Sequence, residues 1–329
     1  MEFRLIDRIR ARAAQARDDV RLGVGDDAAL LAVPVGQELA MAIDTLVEGV
    51  HFPAGTAPAD IGWKALAVNL SDLAAMGATP AWALLALTLP ELPAEAQAVR
   101  VDGLAEGFAQ LAQAYGVALV GGDTTRGPFT LSVAVHGFVP PGQALRRDGA
   151  RVGDLVFVTG TLGDAAAGLQ CLAPGADPDE EKRRAFLRAR LHRPQPRVAA
   201  GLSLRGRASA CIDVSDGLLA DLDHLCTASA VGAEIELERL PLSSALLGSC
   251  DEAVAHDFAL AGGDDYELCF TVPPALAGEV QADLARLGCG ATRIGRIVDT
   301  PGVRVRGADG QWITPARRGW DHFDDDASR

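Results

Sequence analysis

The sequence IGWKALAVNLSDLAAMGATPAW, at residues 61–82, carries the clearest secondary-structure signal in the chain. Leucine or methionine recurs every three or four positions from Leu66 to Met76, which is the spacing of one face of an α-helix. Gly77 is suited to cap the end of this helix, and Pro80 follows the cap. The stretch therefore predicts a helix over residues 61–76 that ends in a turn.

Strand patterns alternate with helical ones along the chain. Leu131, Val133 and Val135 alternate with small or polar residues, as in a strand with one buried face. The run LVFV at residues 155–158 is apolar throughout, as in a strand covered on both faces. Further predictions are helices over residues 100–115 and 218–225, a strand over 117–120, and a solvated loop at 177–182 before an arginine-rich helix. The mixture indicates an α/β or α+β fold.

The length of 329 residues is typical of two domains. The best boundary is the turn-rich, charged stretch from Pro140 to Arg151, which separates two apolar strand patterns. We therefore predict domains over residues 1–148 and 149–329.

Charge and composition exclude several classes of function. The chain carries 30 basic and 44 acidic residues, a net charge of −14, which argues against a nucleic-acid partner. Lys64 and Lys182 are its only lysines, and neither ends a Walker-type phosphate loop. No apolar run reaches the roughly 18 residues of a membrane span, so no membrane partner is expected.

The expected compartment is the cytoplasm. Residues 1–21 carry charges throughout, without the apolar centre of a signal peptide. The six cysteines are irregularly spaced, as expected of small core residues under reducing conditions.

Aspartates recur where a strand or helix pattern is expected to meet a turn, each beside glycine, serine or threonine. Glycine lets the backbone approach a ligand, and the aspartate carboxylate is a ligand that Mg²⁺ prefers. These segments are Gly25–Asp27, Ile43–Thr45, Asn69–Asp72, Gly121–Thr124, Ile212–Gly217 and Gly262–Asp265.

Each aspartate taken alone has a plainer interpretation, as a helix cap or a turn residue. Asp213 and Ser215, for example, precede the predicted helix at 218–225 and are suited to be its N-caps. Asp72 fits this interpretation less well, because it lies inside a helix and shares a face with Asn69. An acidic protein also needs divalent cations between its carboxylates and a polyphosphate. The pattern as a whole therefore points to Mg²⁺-dependent nucleotide chemistry.

The same residues resemble the thiamine-monophosphate kinase family, which belongs to the aminoimidazole ribonucleotide synthetase (PurM)-like superfamily. Six ordered blocks carry the resemblance, and one of them is 20 residues long. They are Gly23–Ala29, Asp44–Phe52, Trp63–Trp82, Gly121–Pro128, Asp213–Leu218 and Ala261–Phe270.

The resemblance implies roles for individual residues. It implies magnesium ligands at Asp27, Asp44, Asp72, Asp123, Asp213 and Asp216, ATP contacts at Gly122, Asp123, Arg147 and Ser215, and substrate contacts at His51, Asp264 and Trp320. Relatives often have serine or threonine before the Asp44 position, whereas this chain has Ala42 and Ile43, so a metal contact at either must use its backbone carbonyl. Trp312 or Phe323 could fill the aromatic role in place of Trp320.

The resemblance also implies a fold and a reaction. The fold would have two α/β domains: residues 1–148 would bind ATP and Mg²⁺ and complete a sheet across a homodimer, and residues 149–329 would close the active-site cleft. The reaction would transfer a phosphoryl group in line from ATP to thiamine monophosphate, with several Mg²⁺ ions and no general base. Two alternatives stay open: a ligase of the aminoimidazole ribonucleotide synthetase type, and a non-catalytic nucleotide-binding regulator.

Overall fold

A computed structural model of the protein describes residues 2–13 and 15–320, with side chains from residue 5 onward. The chain divides into two compact units. The N-terminal unit contains residues 1–73 and 78–144, and the C-terminal unit contains residues 74–77 and 145–329. The predicted boundary at 148/149 stays a prediction, as do the roles assigned to the two domains. No helix in the described ranges is long and apolar enough to cross a membrane.

The N-terminal unit contains a four-stranded sheet in the order β3-β6-β4-β5, which is antiparallel except for the β4–β5 pair. A separate hairpin, β1–β2, packs its Val20 and Leu31 near Trp82 and Phe138. In chain order the elements are α1 (Glu2–Ala13), β1 (Val20–Leu22), β2 (Leu30–Leu31), β3 (Glu38–Val47), α2 (Pro58–Ala75), β4 (Thr79–Leu89), α3 (Ala94–Tyr115), β5 (Ala118–Arg126) and β6 (Thr130–Val139).

The C-terminal unit contains a seven-stranded sheet in the order β13-β12-β9-β11-β7-β10-β8, in which only β12 and β9 are parallel neighbours. In chain order its elements are β7 (Leu155–Thr159), α4 (Asp164–Gln170), α5 (Pro178–His192), α6 (Val198–Leu204), β8 (Ala210–Val214), α7 (Leu218–Ser229), β9 (Gly232–Glu236), α8 (Ser244–Leu247), α9 (Glu252–Ala261), β10 (Glu267–Val272), α10 (Ala277–Arg286), β11 (Ala291–Val298), β12 (Gly302–Arg306) and β13 (Trp312–Ile313).

The core of the C-terminal unit lies between this sheet and its helices. Ile212 and Val214 of β8 pack with Leu218, Leu222 and other residues of α7 in one buried cluster. Burying each of these side chains contributes about 1.5–3 kcal/mol. The packing fixes the direction in which the short β8–α7 connection leaves the sheet, and that connection carries two of the predicted site residues, Ser215 and Asp216.

The mixed α/β architecture is as predicted, and α2, α3 and α7 lie where the helical spacing placed them. All six cysteines are free thiols. Two local predictions were wrong. The solvated loop at 177–182 is the start of α5, because the Asp177 side chain accepts hydrogen bonds from the amides of Asp179 and Glu180 and Pro178 fits the first turn.

The second error concerns the turns expected at two aspartates. Asp44 lies inside β3, and Asp123 lies inside β5. Strand β5 continues through the two glycines because its register with β4 shifts between Ala83 and Leu84. At Gly122 a Cβ atom would stand only 1.9 Å from the carbonyl oxygen of Leu85. This glycine is therefore required for close strand pairing, whatever else it binds.

Candidate active site

The connection between β8 and α7, residues 215–217, is the centre of the predicted site in the C-terminal unit. Asp213 lies on β8 just before it and is 5% exposed. Helix α7 begins at Leu218 with Gly217 as its N-cap, and no side chain caps it. The interpretation of Asp213 or Ser215 as an N-cap was therefore wrong.

The amides of this connection are held by a side chain from the helix that follows. One carboxylate oxygen of Asp221, Oδ2, accepts hydrogen bonds from the amides of Ser215, Asp216 and Gly217, at 2.9, 3.0 and 3.2 Å. Asp221 is 3% exposed and lies in the first turn of α7. It satisfies three consecutive amides that would otherwise lack partners in the connection.

The carbonyls of the same connection bind the residues predicted to contact substrate. The amide of Asp264 donates to the carbonyl oxygen of Ser215 at 2.8 Å, and the amide of Trp320 donates to that of Asp216 at 2.9 Å. The structure thus brings Ser215, Asp216, Asp264 and Trp320 together, and all four are joined through backbone hydrogen bonds.

Backbone strain is concentrated beside this connection. Asp264 has a φ of 68° and Tyr266 a φ of 50°, and both are left-handed conformations that cost free energy in residues other than glycine. The Tyr266 hydroxyl donates to Oδ1 of Asp264 at 3.0 Å. The strained turn therefore fixes both the backbone and the carboxylate of Asp264.

The two described tryptophans that could contact substrate lie in different places. Trp312 is on β13, at the sheet edge opposite to β8, where the Arg304 guanidinium lies 4.6 Å from its ring centre. Trp320 is bonded to Asp216 and is 44% exposed. This placement favours Trp320, and Phe323 lies outside the described residues.

Arg147 lies beside β8. The amide of Cys211 donates to the carbonyl oxygen of Arg146, and the Ser229 hydroxyl donates to that of Arg147 at 2.6 Å. These bonds fix the backbone, while the Arg147 side chain is exposed. Its neighbour Arg146 forms a bidentate pair with Asp148.

In the N-terminal unit, the structure joins Asp44 to the helix that carries Asp72. The amide of Asp44, on edge strand β3, donates to Oδ1 of Asn69 at 3.0 Å. Asn69 is fully buried, and its Nδ2 donates to the carbonyl oxygen of Ala65. Asp72 lies one turn further along the same face of α2. Ala42 and Ile43 precede Asp44 on β3, opposite Val135 and Ala134 of β6.

His51 is oriented by the turn that follows β3. Its Nδ1 accepts a hydrogen bond from the Val47 amide at 3.0 Å, so the neutral ring carries its proton on Nε2. The buried Lys64 donates to the carbonyl oxygen of His51 at 3.0 Å. In the neutral ring, Nδ1 is therefore the acceptor and Nε2–H the donor.

Other predicted residues of this unit are further apart. Asp44 is on β3 and Gly122 and Asp123 are on β5, the two opposite edges of the four-stranded sheet. With strands about 4.8 Å apart, three strand spacings separate these edges by roughly 14 Å. Asp27 is exposed in the β1–β2 connection, where its amide donates to Asp26. A single ion cannot be shared by Asp44 and Asp123 of one chain.

The described residues contain no group of three histidine, cysteine, aspartate or glutamate side chains that could hold a metal ion by itself. Carboxylates are nevertheless crowded around β8: burial, together with the negative charges of Asp213 and Asp216, raises the pKa of Asp221 to about 8. A divalent cation at Asp213 and Asp216 would relieve this repulsion. Mg²⁺ commonly uses one or two carboxylates and completes its shell with water and phosphate oxygens, so the donor set fits it.

Sequence reasoning missed Asp221 and Asn69, neither of which was assigned a role of its own in the site. Asp221 lies eight residues after Asp213, in the first turn of α7. From sequence alone, an acidic residue in a first turn indicates only a favourable interaction with the helix dipole. Only the fold shows that these side chains hold the amides of other site residues.

The comparisons with known proteins agree with this fold. Residues 25–139 match the family model for the AIR synthase related protein N-terminal domain, and residues 151–308 match the corresponding C-terminal domain. The thiamine-monophosphate kinases of Salmonella typhimurium and Escherichia coli K12 are each 47% identical to this chain over 98% of both proteins.

Solved structures give the same result. Thiamine-monophosphate kinase from Stenotrophomonas maltophilia has 49% identity and a TM-score of 0.84, covering 94% of this chain and 96% of its own. AaThiL, complexed with AMPPCP and TMP, has 35% identity and a TM-score of 0.74, covering 98% and 97%. A hydrogenase maturation protein, HypE, at 19% identity and a TM-score of 0.75, shares the fold. The chain belongs to the thiamine-monophosphate kinase family, within the AIR synthase related proteins.

Proposed function

We propose that this protein transfers the γ-phosphoryl group of ATP to the phosphate of thiamine monophosphate, which yields ADP and thiamine diphosphate. The observation that carries the proposal is the 47% identity with thiamine-monophosphate kinases over 98% of both chains. The AaThiL complex with AMPPCP, an ATP analogue, and TMP supports the same pair of substrates.

The acceptor needs no general base. The attacking group is a phosphate oxygen of thiamine monophosphate, and its second pKa of about 6 leaves most of it as the dianion near pH 7. A new bond forms between this oxygen and the γ-phosphorus of ATP as the bond to the β-phosphate oxygen breaks. The protein's task is therefore to bring two anions together and hold them in line.

On this proposal, Mg²⁺ ions would be held by Asp27, Asp44, Asp72, Asp123, Asp213 and Asp216, together with the backbone carbonyls of Ala42 and Ile43. When bound, they would supply positive charge to the phosphate oxygens. The Asn69 bond to Asp44 and the Asp221 bonds to the β8–α7 connection support the idea that these ligands are held rigidly.

The remaining assignments follow from charge and hydrogen-bond direction. Ser215, Gly122, Asp123 and Arg147 would contact ATP, and the Arg147 guanidinium matches phosphate in a bidentate geometry. His51 would donate from Nε2 to the substrate phosphate. Trp320 and Asp264 would face the cationic thiazolium ring, because an aromatic face and a carboxylate both attract a cation.

The decisive experiment incubates the purified protein with ATP, MgCl₂ and thiamine monophosphate and measures thiamine diphosphate. We expect steady product formation, which falls by at least about a hundredfold in Asp72→Asn, the size of a lost electrostatic contact to the transition state. Asp60→Asn, in the first turn of the same helix, is the control and should keep its activity. Turnover of formylglycinamidine ribonucleotide instead would favour the ligase alternative, and nucleotide binding without any turnover would favour the regulator.

A further inference from the structure

We infer that Asp221 is a positioning residue that holds the nucleotide side and the substrate side of the C-terminal half of the site in one geometry. The inference rests on the proposed function for the identity of the ligands. Its structural basis, the hydrogen bonds of residues 215–217, is independent of which substrate is bound.

The connection from β8 to α7 has two sets of backbone groups with separate partners. All three amides point to one carboxylate oxygen, Oδ2 of Asp221. The carbonyls of Ser215 and Asp216 point away to the amides of Asp264 and Trp320. A displacement of this connection is therefore transmitted in two directions, to the side chains of Ser215 and Asp216 and to the backbone of Asp264 and Trp320.

The bonds to Oδ2 of Asp221 hold all three amides of the connection, so its conformation depends on Asp221. Gly217 has a φ of 121° and provides no side-chain cap. A buried amide that loses its acceptor destabilises the fold, so three amides on one oxygen make that oxygen important for the local conformation. Packing of α7 against β8 in the buried core fixes Asp221 itself. The rigid helix thus sets the position of the amides of the connection.

Asp221 lies beside the backbone of the connection and is 3% exposed. The three amides need an acceptor, because a buried amide without one costs free energy. A side chain that accepts from all three at a single oxygen therefore sets their common position.

The test compares Asp221→Asn and Asp221→Ala with a matched control, Asp154→Asn. Asp154 is similarly buried, at 4% exposure, and accepts bonds from the Arg151 amide and the Ser209 hydroxyl. It precedes Leu155, which pairs with Val272 at the end of β10 away from Asp213. Loss of Asp154 therefore measures the effect of removing a buried carboxylate far from the β8–α7 connection.

Two readouts need no turnover: the affinity for AMPPCP in MgCl₂ by calorimetry, and hydrogen exchange of a peptide containing residues 215–217. In Asp221→Asn we expect AMPPCP affinity to fall about 10- to 100-fold, as when a hydrogen-bond partner that orients a metal ligand is lost, with faster exchange in that peptide. The KM for thiamine monophosphate should also rise, through Asp264 and Trp320. Asp154→Asn should melt earlier yet keep both affinities within twofold.

A folded Asp221→Asn protein whose affinities stay within twofold of wild type would overturn the inference. If neither Asp221 variant folds, hydrogen exchange in the wild-type protein provides the test. Amides at residues 215–217 that exchange without protection would also overturn the inference. If the wild type binds AMPPCP but forms no thiamine diphosphate, the proposed function fails while the comparison of Asp221 variants still stands.

Discussion

At the scale of single residues, His51 shows how one hydrogen bond assigns a tautomer and a role. Its Nδ1 accepts from the Val47 amide, so the neutral ring carries its proton on Nε2, which on the proposed function donates to the substrate phosphate. In His51→Asn the side chain keeps an acceptor for the Val47 amide but loses the ring donor at Nε2. We expect the KM for thiamine monophosphate to rise about 10-fold or more, the cost of a hydrogen bond to a charged group. The KM for ATP should not change.

The outcome that contradicts this assignment is equal loss of affinity for both substrates in His51→Asn. Steady-state kinetics with each substrate varied in turn measures the two KM values. A melting temperature close to that of the wild type serves as the control for an intact turn.

Gly122 is required for strand pairing, apart from the ATP contact that the resemblance implies for it. A Cβ atom there would stand 1.9 Å from the Leu85 carbonyl oxygen. Because that oxygen belongs to the backbone of the paired strand, it cannot move aside as a side chain could. Gly122→Ala should therefore lower the free energy of unfolding by about 3 kcal/mol. At Gly121 the nearest atom is the flexible end of Leu84, at 3.0 Å, so Gly121→Ala should cost far less. Urea unfolding of both variants measures the difference.

At the scale of secondary-structure elements, the pattern of the sequence predicted several helices and strands but not where each begins and ends. Spacing located α2 and α7, because tertiary packing follows the same apolar face that the sequence shows. The start of α5 was missed because a charged, proline-containing stretch has the same composition in a loop and in a first helical turn. The helix is distinguished by the hydrogen bonds of the Asp177 cap, which composition does not show.

The candidate site also contains residues that the sequence could nominate and residues whose role only the fold shows. Residue types and glycine neighbours were sufficient to nominate Ser215, Asp216 and Asp264, which the structure joins. The roles of Asp221 and Asn69 as acceptors could not be predicted, because they depend on which amides the fold places beside them. The same holds for the separation of Asp44 from Asp123, which follows from strand order and is not contained in either sequence block.

Strand β6 carries a buried titratable group that makes stability depend on pH. His136 is 8% exposed, and burial lowers its pKa below the usual 6.5. As the pH falls through 6.5 the unfolded state takes up a proton that folded His136 does not, so the folded state loses stability. We expect the free energy of unfolding to drop between pH 7.5 and 5.5, and to drop less in His136→Gln. Equal drops in the two proteins, measured by urea unfolding, would contradict this.

At the scale of the whole molecule, the four-stranded sheet has an exposed apolar face, which we predict to bind a second copy of the chain. Side chains on one face of β3 are apolar and exposed: Met41 is 64% and Ile43 66% exposed, with Leu39 beside them. Leu84 of β4 is also exposed, at 37%, and β3 is an edge strand. Apolar residues concentrated on a sheet indicate an interaction surface. They support the proposed homodimer, although the completion of a sheet across it stays a prediction.

The homodimer can be tested by placing one charge on this face. In a symmetric interface each patch meets its own copy, so Met41→Glu introduces two carboxylates into one apolar contact, and each unpaired buried charge costs several kcal/mol. Sedimentation should give the wild type twice the chain mass of 34.2 kDa and Met41→Glu the mass of one chain. Val35→Glu, at a fully exposed position in the turn before β3, should leave the mass unchanged. A wild type that sediments as one chain would refute the dimer, and a dimeric Met41→Glu protein would place the interface on another surface.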